Sequence, residues 1–108
     1  MIHVTIKANN VNMAKEELHD AVIRALMECG AVCENYAKIG APVDTGRLRN
    51  SMNHTMVSDN TVAIGSNVEY GIYQELGTSR GIKPKRFLTN AMRNHIDEYK
   101  GIIQKNLK

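Results

Sequence analysis

At 108 residues, with 43% hydrophobic and 23% charged positions, the chain has the balance of one folded globular domain rather than of a disordered tail or a membrane protein. No Trp, one Phe and six Met make for a modest core, and a chain this short buries only about two-thirds of its unfolded surface, which excludes a large self-sufficient enzyme. Fourteen Lys and Arg against eleven Asp and Glu leave a net charge of +3, too weak a bias to mark a dedicated nucleic-acid binder.

The chain opens on Met1-Ile2-His3-Val4-Thr5-Ile6-Lys7, where apolar and polar residues alternate. That is the period of a half-buried strand, with Ile2, Val4, Ile6 and Ala8 on one face, and not the basic segment plus apolar run of a signal peptide. No run approaches the roughly 20 apolar residues of a membrane span. From Asn12, a good N-cap residue, Leu18, Val22, Ala25, Cys29, Val32 and Tyr36 recur at spacings of three and four, which predicts an amphipathic helix ended by Gly40 and Pro42. Such a helix spans about 25 residues and about 40 Å at 1.5 Å per residue. Ile23 and Met27 lie off the main stripe, so the helix carries more apolar surface than one small sheet can cover, and part of it is expected to meet another subunit. Cys29 and Cys33 fall one helical turn apart, beyond the Cβ separation of a disulfide, and read as buried core thiols in a reduced, intracellular setting rather than as half of a zinc site.

In the next segment, Asp44 or Thr45 can cap a short helical turn carrying Leu48 and Met52. His54–Ser58 and Thr61–Gly65 are β-rich and joined by Asp59-Asn60, which predicts a hairpin. Tyr70, Tyr73 and Leu76 sit at helical spacing and predict a short helix from Val68 to Leu76, with these side chains packed in the core or at a subunit interface. Gly77 to Lys85 reads as an exposed, mobile basic loop, and from Arg86 onward Leu88, Met92, His95, Tyr99 and Ile102 predict one C-terminal helix. The fold class is therefore α+β: a long N-terminal amphipathic helix, a small antiparallel sheet made of an N-terminal strand plus a hairpin, a short connecting helix and a C-terminal helix, in a single domain over residues 1–108.

Two strings imitate catalytic signatures. Asp44-Thr45-Gly46 matches the triplet of a dimeric aspartic protease, but that triplet belongs at the end of an apolar strand in a nearly all-β chain, whereas here it follows a long helix and precedes Arg47 and Arg49. Gly77-Thr78-Ser79-Arg80-Gly81 matches a nucleophile elbow, yet no histidine follows the later acid at Asp97. A capping turn and a surface loop account for both. Arg80, Lys83, Lys85 and Arg86 can contact phosphates nonspecifically, as a small basic DNA-binding module would, although no aromatics are interleaved for base stacking.

Pro42-Val43-Asp44-Thr45-Gly46-Arg47-Leu48-Arg49-Asn50-Ser51, followed by Gly65-Ser66-Asn67-Val68-Glu69-Tyr70-Gly71-Ile72-Tyr73-Gln74-Glu75-Leu76-Gly77-Thr78, resembles the paired signature of the tail-completion, or head-to-tail joining, proteins of tailed bacteriophages. The family commonly places a proline directly before the Phe-Leu pair, where this chain has Arg86. The resemblance implies a structural protein of the virion neck or tail end, assembled in the host bacterial cytoplasm, with no catalysis, cofactor or metal. It implies a homo-oligomeric ring, sixfold first and twelvefold second, between the head-tail connector or stopper and the tail tube or tail terminator. DNA in the channel is a possible nonspecific contact, and a tail terminator or other minor tail component is the alternative role. Asp44, Thr45, Gly46, Leu48, Arg49, Ser51, Tyr70, Tyr73, Glu75, Gly77 and Thr78 carry the motif and are expected to build and assemble the fold, with Glu75 expected to pair with Arg47 or Arg49. The loop of Arg80, Lys83, Lys85 and Arg86 is expected to face the channel or an adjacent ring.

Overall fold

A computed structural model of the chain describes residues 2–8, 16–41, 46–77, 81 and 83–107, and, within them, all side chains except those of residues 16–18, 69 and 70. Eight elements follow in order: β1 (Ile2–Lys7), α1 (Glu16–Gly40), α2 (Arg47–Asn50), β2 (Asn53–Ser58), β3 (Thr61–Ser66), α3 (Glu69–Leu76), α4 (Phe87–Arg93) and α5 (Ile96–Leu107). A strand thus opens the chain, and the 25-residue α1 comes second. The predicted N-cap Asn12 lies outside the described residues.

The hairpin forms about Asp59-Asn60 as its turn chemistry predicts, with β3 in the middle of the sheet and β1 and β2 antiparallel on either side. The register sets Val4 opposite Ile64 and Ile6 opposite Val62, and on the other side His54 opposite Ile64 and Met56 opposite Val62. These residues share one face, because side chains alternate along a strand. Burial of β1 alternates accordingly. β3 is buried along nearly its whole length, since it has a strand on each side as well as helices above it. A bulge between Met56 and Ser58 interrupts the β2 edge.

α1 lies across that face. Gly30 permits the approach: a Cβ there would come within 2.9 Å of both His54 and Val62. Val22, Ala25 and Cys29 are buried as the periodicity predicts, but Leu26, Cys33 and Ala37 are fully buried too, whereas Val32 and Tyr36 are only half-buried. The stripe is turned and widened because α1 is covered from two directions. The sheet takes one side, and α5, antiparallel to α1, takes the other. Tyr36 donates to Glu98 at 2.6 Å near one end of this helix pair, and Asn106 donates to Glu28 at 3.0 Å near the other. Between them the Cys29 thiol donates to the Tyr99 carbonyl at 3.6 Å. Both cysteines are free. Burial pushes the Cys29 thiol up to about 11 and raises that of Cys33.

The single predicted C-terminal helix is two helices, broken at Asn94-His95. The Tyr99 hydroxyl donates to the Ala91 carbonyl at 2.5 Å. In one straight helix those residues would be about 12 Å apart along the axis. Closing that bond and burying Tyr99 beside Ala91 and Leu88 requires α5 to turn relative to α4, and Asn94 and His95, weak helix formers, occupy the turn. The molecule is elongated, 51 × 23 × 22 Å, in keeping with the length of α1.

Candidate functional site

The two halves of the motif are far apart in sequence and meet in space. α2 begins at Gly46, whose φ of 71° favours glycine, and has no side-chain cap. Asp44 and Thr45 lie outside the described residues. Leu48, buried, packs against Gly71 of α3: a Cβ on Gly71 would sit 2.9 Å from the Leu48 methyl. Ser51 donates to the Leu48 carbonyl at 2.6 Å and shares a 2.5 Å hydrogen bond with Ser66, which accepts the Val68 N–H at 3.0 Å where α3 begins. The chain from α2 through β3 to α3 is therefore sewn together by Leu48, Ser51, Ser66 and Gly71. Of these, Ser66 has only its burial to distinguish it, and burial depends on tertiary structure.

Glu75 does not pair with Arg47 or Arg49. It is buried, 3% exposed, and its two carboxylate oxygens accept the Leu88 N–H at 2.8 Å and the Thr89 hydroxyl at 2.6 Å. The first turn of a helix presents N–H groups with no partner inside the helix, and a carboxylate placed there satisfies them and suits the helix dipole. Glu75 thus closes the start of α4, thirteen residues on from its own place in α3. The backbone reinforces the junction, with Lys85 N–H donating to the Gln74 carbonyl at 2.7 Å and Arg86 N–H to the Glu75 carbonyl at 3.3 Å. Arg86 takes φ 53° at the N-cap of α4, the one non-glycine with positive φ among the described residues. Proline, fixed near −65°, could adopt neither that conformation nor the N–H bond. Replacement of the family's usual proline by Arg86 therefore goes with a left-handed entry into α4.

Tyr73 and Leu76 are not core residues. They are 43% and 55% exposed on the outer face of α3, while Gln74 and Glu75 face inward. Helical spacing predicted the helix correctly, but the buried side is the polar one, because Glu75 is needed at α4. Lys83, Pro84, Lys85 and Arg86 are exposed, and the backbone of Lys85 and Arg86 is bonded to the end of α3. Thr78 and Arg80 lie outside the described residues, as does the Tyr70 side chain, and Gly77 has φ 75° after the last turn of α3.

Three polar clusters had no motif to announce them. His54 meets Glu34 at 3.0 Å, and Lys38 meets the other Glu34 oxygen at 3.2 Å. Burial pushes the Glu34 carboxyl up, but these two donors outweigh it and hold it below the usual range. The Tyr36 and His95 rings stack with centroids 3.5 Å apart. The Glu98 hydrogen bond raises the Tyr36 hydroxyl. A hollow of about 200 Å³ opens beside them, between the ends of α1 and α4. Here Tyr36 donates to Glu98 and the His95 ring lies flat on that of Tyr36, which fastens α1 to the start of α5. His19 contacts Asp59 at 3.4 Å. Among the described residues no helix is long and apolar enough to cross a membrane.

Residues 7–77 match the profile of the HK97-gp10-like family, described as "Bacteriophage HK97-gp10, putative tail-component". No curated protein and no solved structure matches the chain significantly. The matched span runs from the end of β1 to the end of α3 and so contains both halves of the Leu48–Ser51–Gly71 seam and Glu75, whose partners Leu88 and Thr89 lie beyond it.

Proposed function

The chain belongs to the HK97-gp10-like family of phage tail components, and from that premise we propose that it is a structural subunit of the virion neck or tail end that joins the head connector to the tail as a homo-oligomeric ring. The family is one of tail components rather than of enzymes, and it implies a place in the virion. The observation that carries the finer reading is the division of labour within the matched segment. Its inward side chains, Leu48, Ser51 and Glu75, serve the fold, while Tyr73 and Leu76 leave apolar surface on the outer face of α3, and the exposed basic residues Lys85 and Arg86 are tied by their backbone to the end of the same helix. Apolar surface rimmed by charge is what an assembly subunit presents to its neighbours. In this reading the chain acts as one domain, its partners are further copies of itself and the adjoining connector and tail proteins, and the basic segment faces a neighbouring ring or the DNA channel.

Native mass spectrometry and negative-stain imaging of the purified chain, alone and with particles arrested before tail attachment, test this. Closed rings that attach to those particles support the reading. A monomer that joins no particle at any concentration refutes it.

A further inference from the structure

Among the described residues β1 and β2 are both sheet edges, but they differ. The β2 edge keeps regular register from Asn53 to Met56 and then bends at a bulge before Ser58, whereas β1 pairs with β3 in regular register over six residues and has no proline. Ala8 N–H donates to the Asn60 carbonyl at 2.8 Å. Because backbone groups alternate sides along a strand, Ile2, Val4 and Ile6 point theirs toward β3, and the N–H and C=O groups of His3, Thr5 and Lys7 point outward from the free edge. The helical layer overhangs this edge. A mostly apolar slot of about 240 Å³ runs alongside Thr5–Lys7, walled by Met92 of α4 and by Ile96, Tyr99 and Ile103 of α5, with Ile96 44% exposed. Among the described residues no strand lies in this slot.

We propose that the slot and the β1 edge receive the β2 edge of a second copy, head to tail, so that sheets join from one subunit to the next. This inference rests on the ring reading above and specifies its interface. Three features select β2 of another copy. First, the same alternation leaves the outward backbone groups of β2 on His54 and Met56, because Asn53 and Thr55 pair toward β3 opposite Gly65 and Ala63. β1 and β2 run parallel, both being antiparallel to β3, and a parallel pair needs one residue to bond the two that flank its opposite number. Thr5 opposite Thr55 of the next copy meets that requirement, with His54 and Met56 as the flanking pair. Second, the faces agree. Thr5 and Thr55 lie on the open face, while Ile6 would stand beside Met56 of the next copy on the helical face, at the mouth of the apolar slot. Third, the charges agree, since the same alignment carries exposed Lys7 toward Asp59 of the next copy, a carboxylate 79% exposed just past the end of β2. The contact is heterologous, using a different surface on each side, which is the kind that closes rings.

Paired cysteines provide the test. Within one chain Thr5 and Thr55 are two strand spacings apart, about 10 Å, too far for a disulfide, whereas across the proposed junction they are direct neighbours. The Thr5→Cys/Thr55→Cys double variant, oxidised under assembly conditions, is expected to give a ladder of covalent oligomers on non-reducing gels. A mixture of the two single variants is expected to give dimers containing one of each. Cys29 and Cys33 are buried and do not compete. Thr5→Pro removes an outward N–H and no hydrogen bond to β3, as proline does at tolerated edge-strand positions, so it is expected to keep the monomer's circular dichroism while shifting native mass spectra from ring to monomer. Dimers of Thr5→Cys alone would mean β1-to-β1 pairing and overturn the proposal. Rings that form without the double-variant ladder, or that survive Thr5→Pro, would overturn it while leaving the ring reading intact. A chain that stays monomeric throughout overturns both.

Discussion

Glu75 carries the sharpest stability prediction. Its carboxylate is buried and holds two donors of α4, the Leu88 N–H at 2.8 Å and the Thr89 hydroxyl at 2.6 Å. Hydrogen bonds to a charged acceptor contribute about 1.5–3 kcal/mol each, and a buried donor left without an acceptor costs about 1–3 kcal/mol. Glu75→Ala removes both acceptors together. Thr89 is only partly buried and recovers water, whereas Leu88 is fully buried and its N–H cannot, so the loss is expected at about 3 kcal/mol. For 108 residues, with about 2.1 cal/mol/K of unfolding entropy per residue, that is a fall of about 13 °C in Tm. Glu75→Gln keeps one oxygen for Leu88 and lets the Thr89 hydroxyl turn to accept from the amide, so about 1 kcal/mol is expected. Thr89→Ala, which leaves Leu88 satisfied, belongs near the same value. Urea unfolding followed by circular dichroism measures all three, with the slope m unchanged if only the folded state is affected. A Glu75→Ala variant within 0.5 kcal/mol of wild type would show that the carboxylate does not hold α3 and α4 together, and a Glu75→Gln variant as damaging as Glu75→Ala would show that the ionised group, and not an acceptor oxygen as such, is what the junction requires.

How legible this junction was in the sequence depends on which interactions were local. The hairpin could be read because Asp59-Asn60 and the flanking β-branched residues decide it within a dozen positions. α1 was equally plain from its period, although Leu26, Cys33 and Ala37 joined the buried set only because α5 covers a second side. Glu75 was misassigned for the opposite reason. Two arginines stood among its neighbours in the motif, while its true partners were a backbone amide and a hydroxyl thirteen and fourteen residues on, which charge pairing does not anticipate. The break at Asn94-His95 was hidden in the same way: Leu88, Met92, His95 and Tyr99 keep helical spacing straight across it, and only the contact between Tyr99 and Ala91 bends the chain.

Other parts of the molecule yield direct tests. Arg86→Gly relieves a left-handed residue at the start of α4 and is expected to raise stability by about 1 kcal/mol, while Arg86→Pro, unable to take φ 53° or donate to Glu75, is expected to lower it by about 3 kcal/mol; thermal unfolding orders the two. The folded Glu34 carboxyl is held below its usual range by His54 and Lys38, so its contribution is present above the unfolded carboxylate pKa and disappears as pH falls through the lower folded value. Wild type is therefore expected to exceed Glu34→Gln in stability at pH 6 and to lose that margin below about pH 4.5, measured by urea unfolding at each pH. With the Cys29 thiol raised to about 11 and both cysteines buried, the native chain is expected to resist thiol labelling at pH 8 and to react at two sites once unfolded, read by mass spectrometry.

The Glu75 clasp also bears on assembly. Lys85 and Arg86 would swing freely if they belonged only to a loop, and a charge on a free loop loses orientational entropy whenever it docks. Instead their backbone N–H groups are tied to the end of α3 at 2.7 and 3.3 Å, and Glu75 ties the following residues of α4 to the same helix. The basic side chains are thus displayed from a backbone frame fixed on the end of α3. Preorganisation of this kind lowers the ordering cost of association and leaves more of the contact energy to hold the complex. In the ring proposed above, each copy would add its net charge of +3 and repeat the same frame at equal intervals. Glu75→Gln should then weaken attachment to particles more than its small loss of stability explains, whereas Lys85→Ala should weaken attachment with no loss of stability. A pull-down of arrested particles at two salt concentrations separates them, because only the lysine variant alters the salt dependence. If both variants attach as wild type does, the basic segment plays no part in joining and the clasp serves the fold alone.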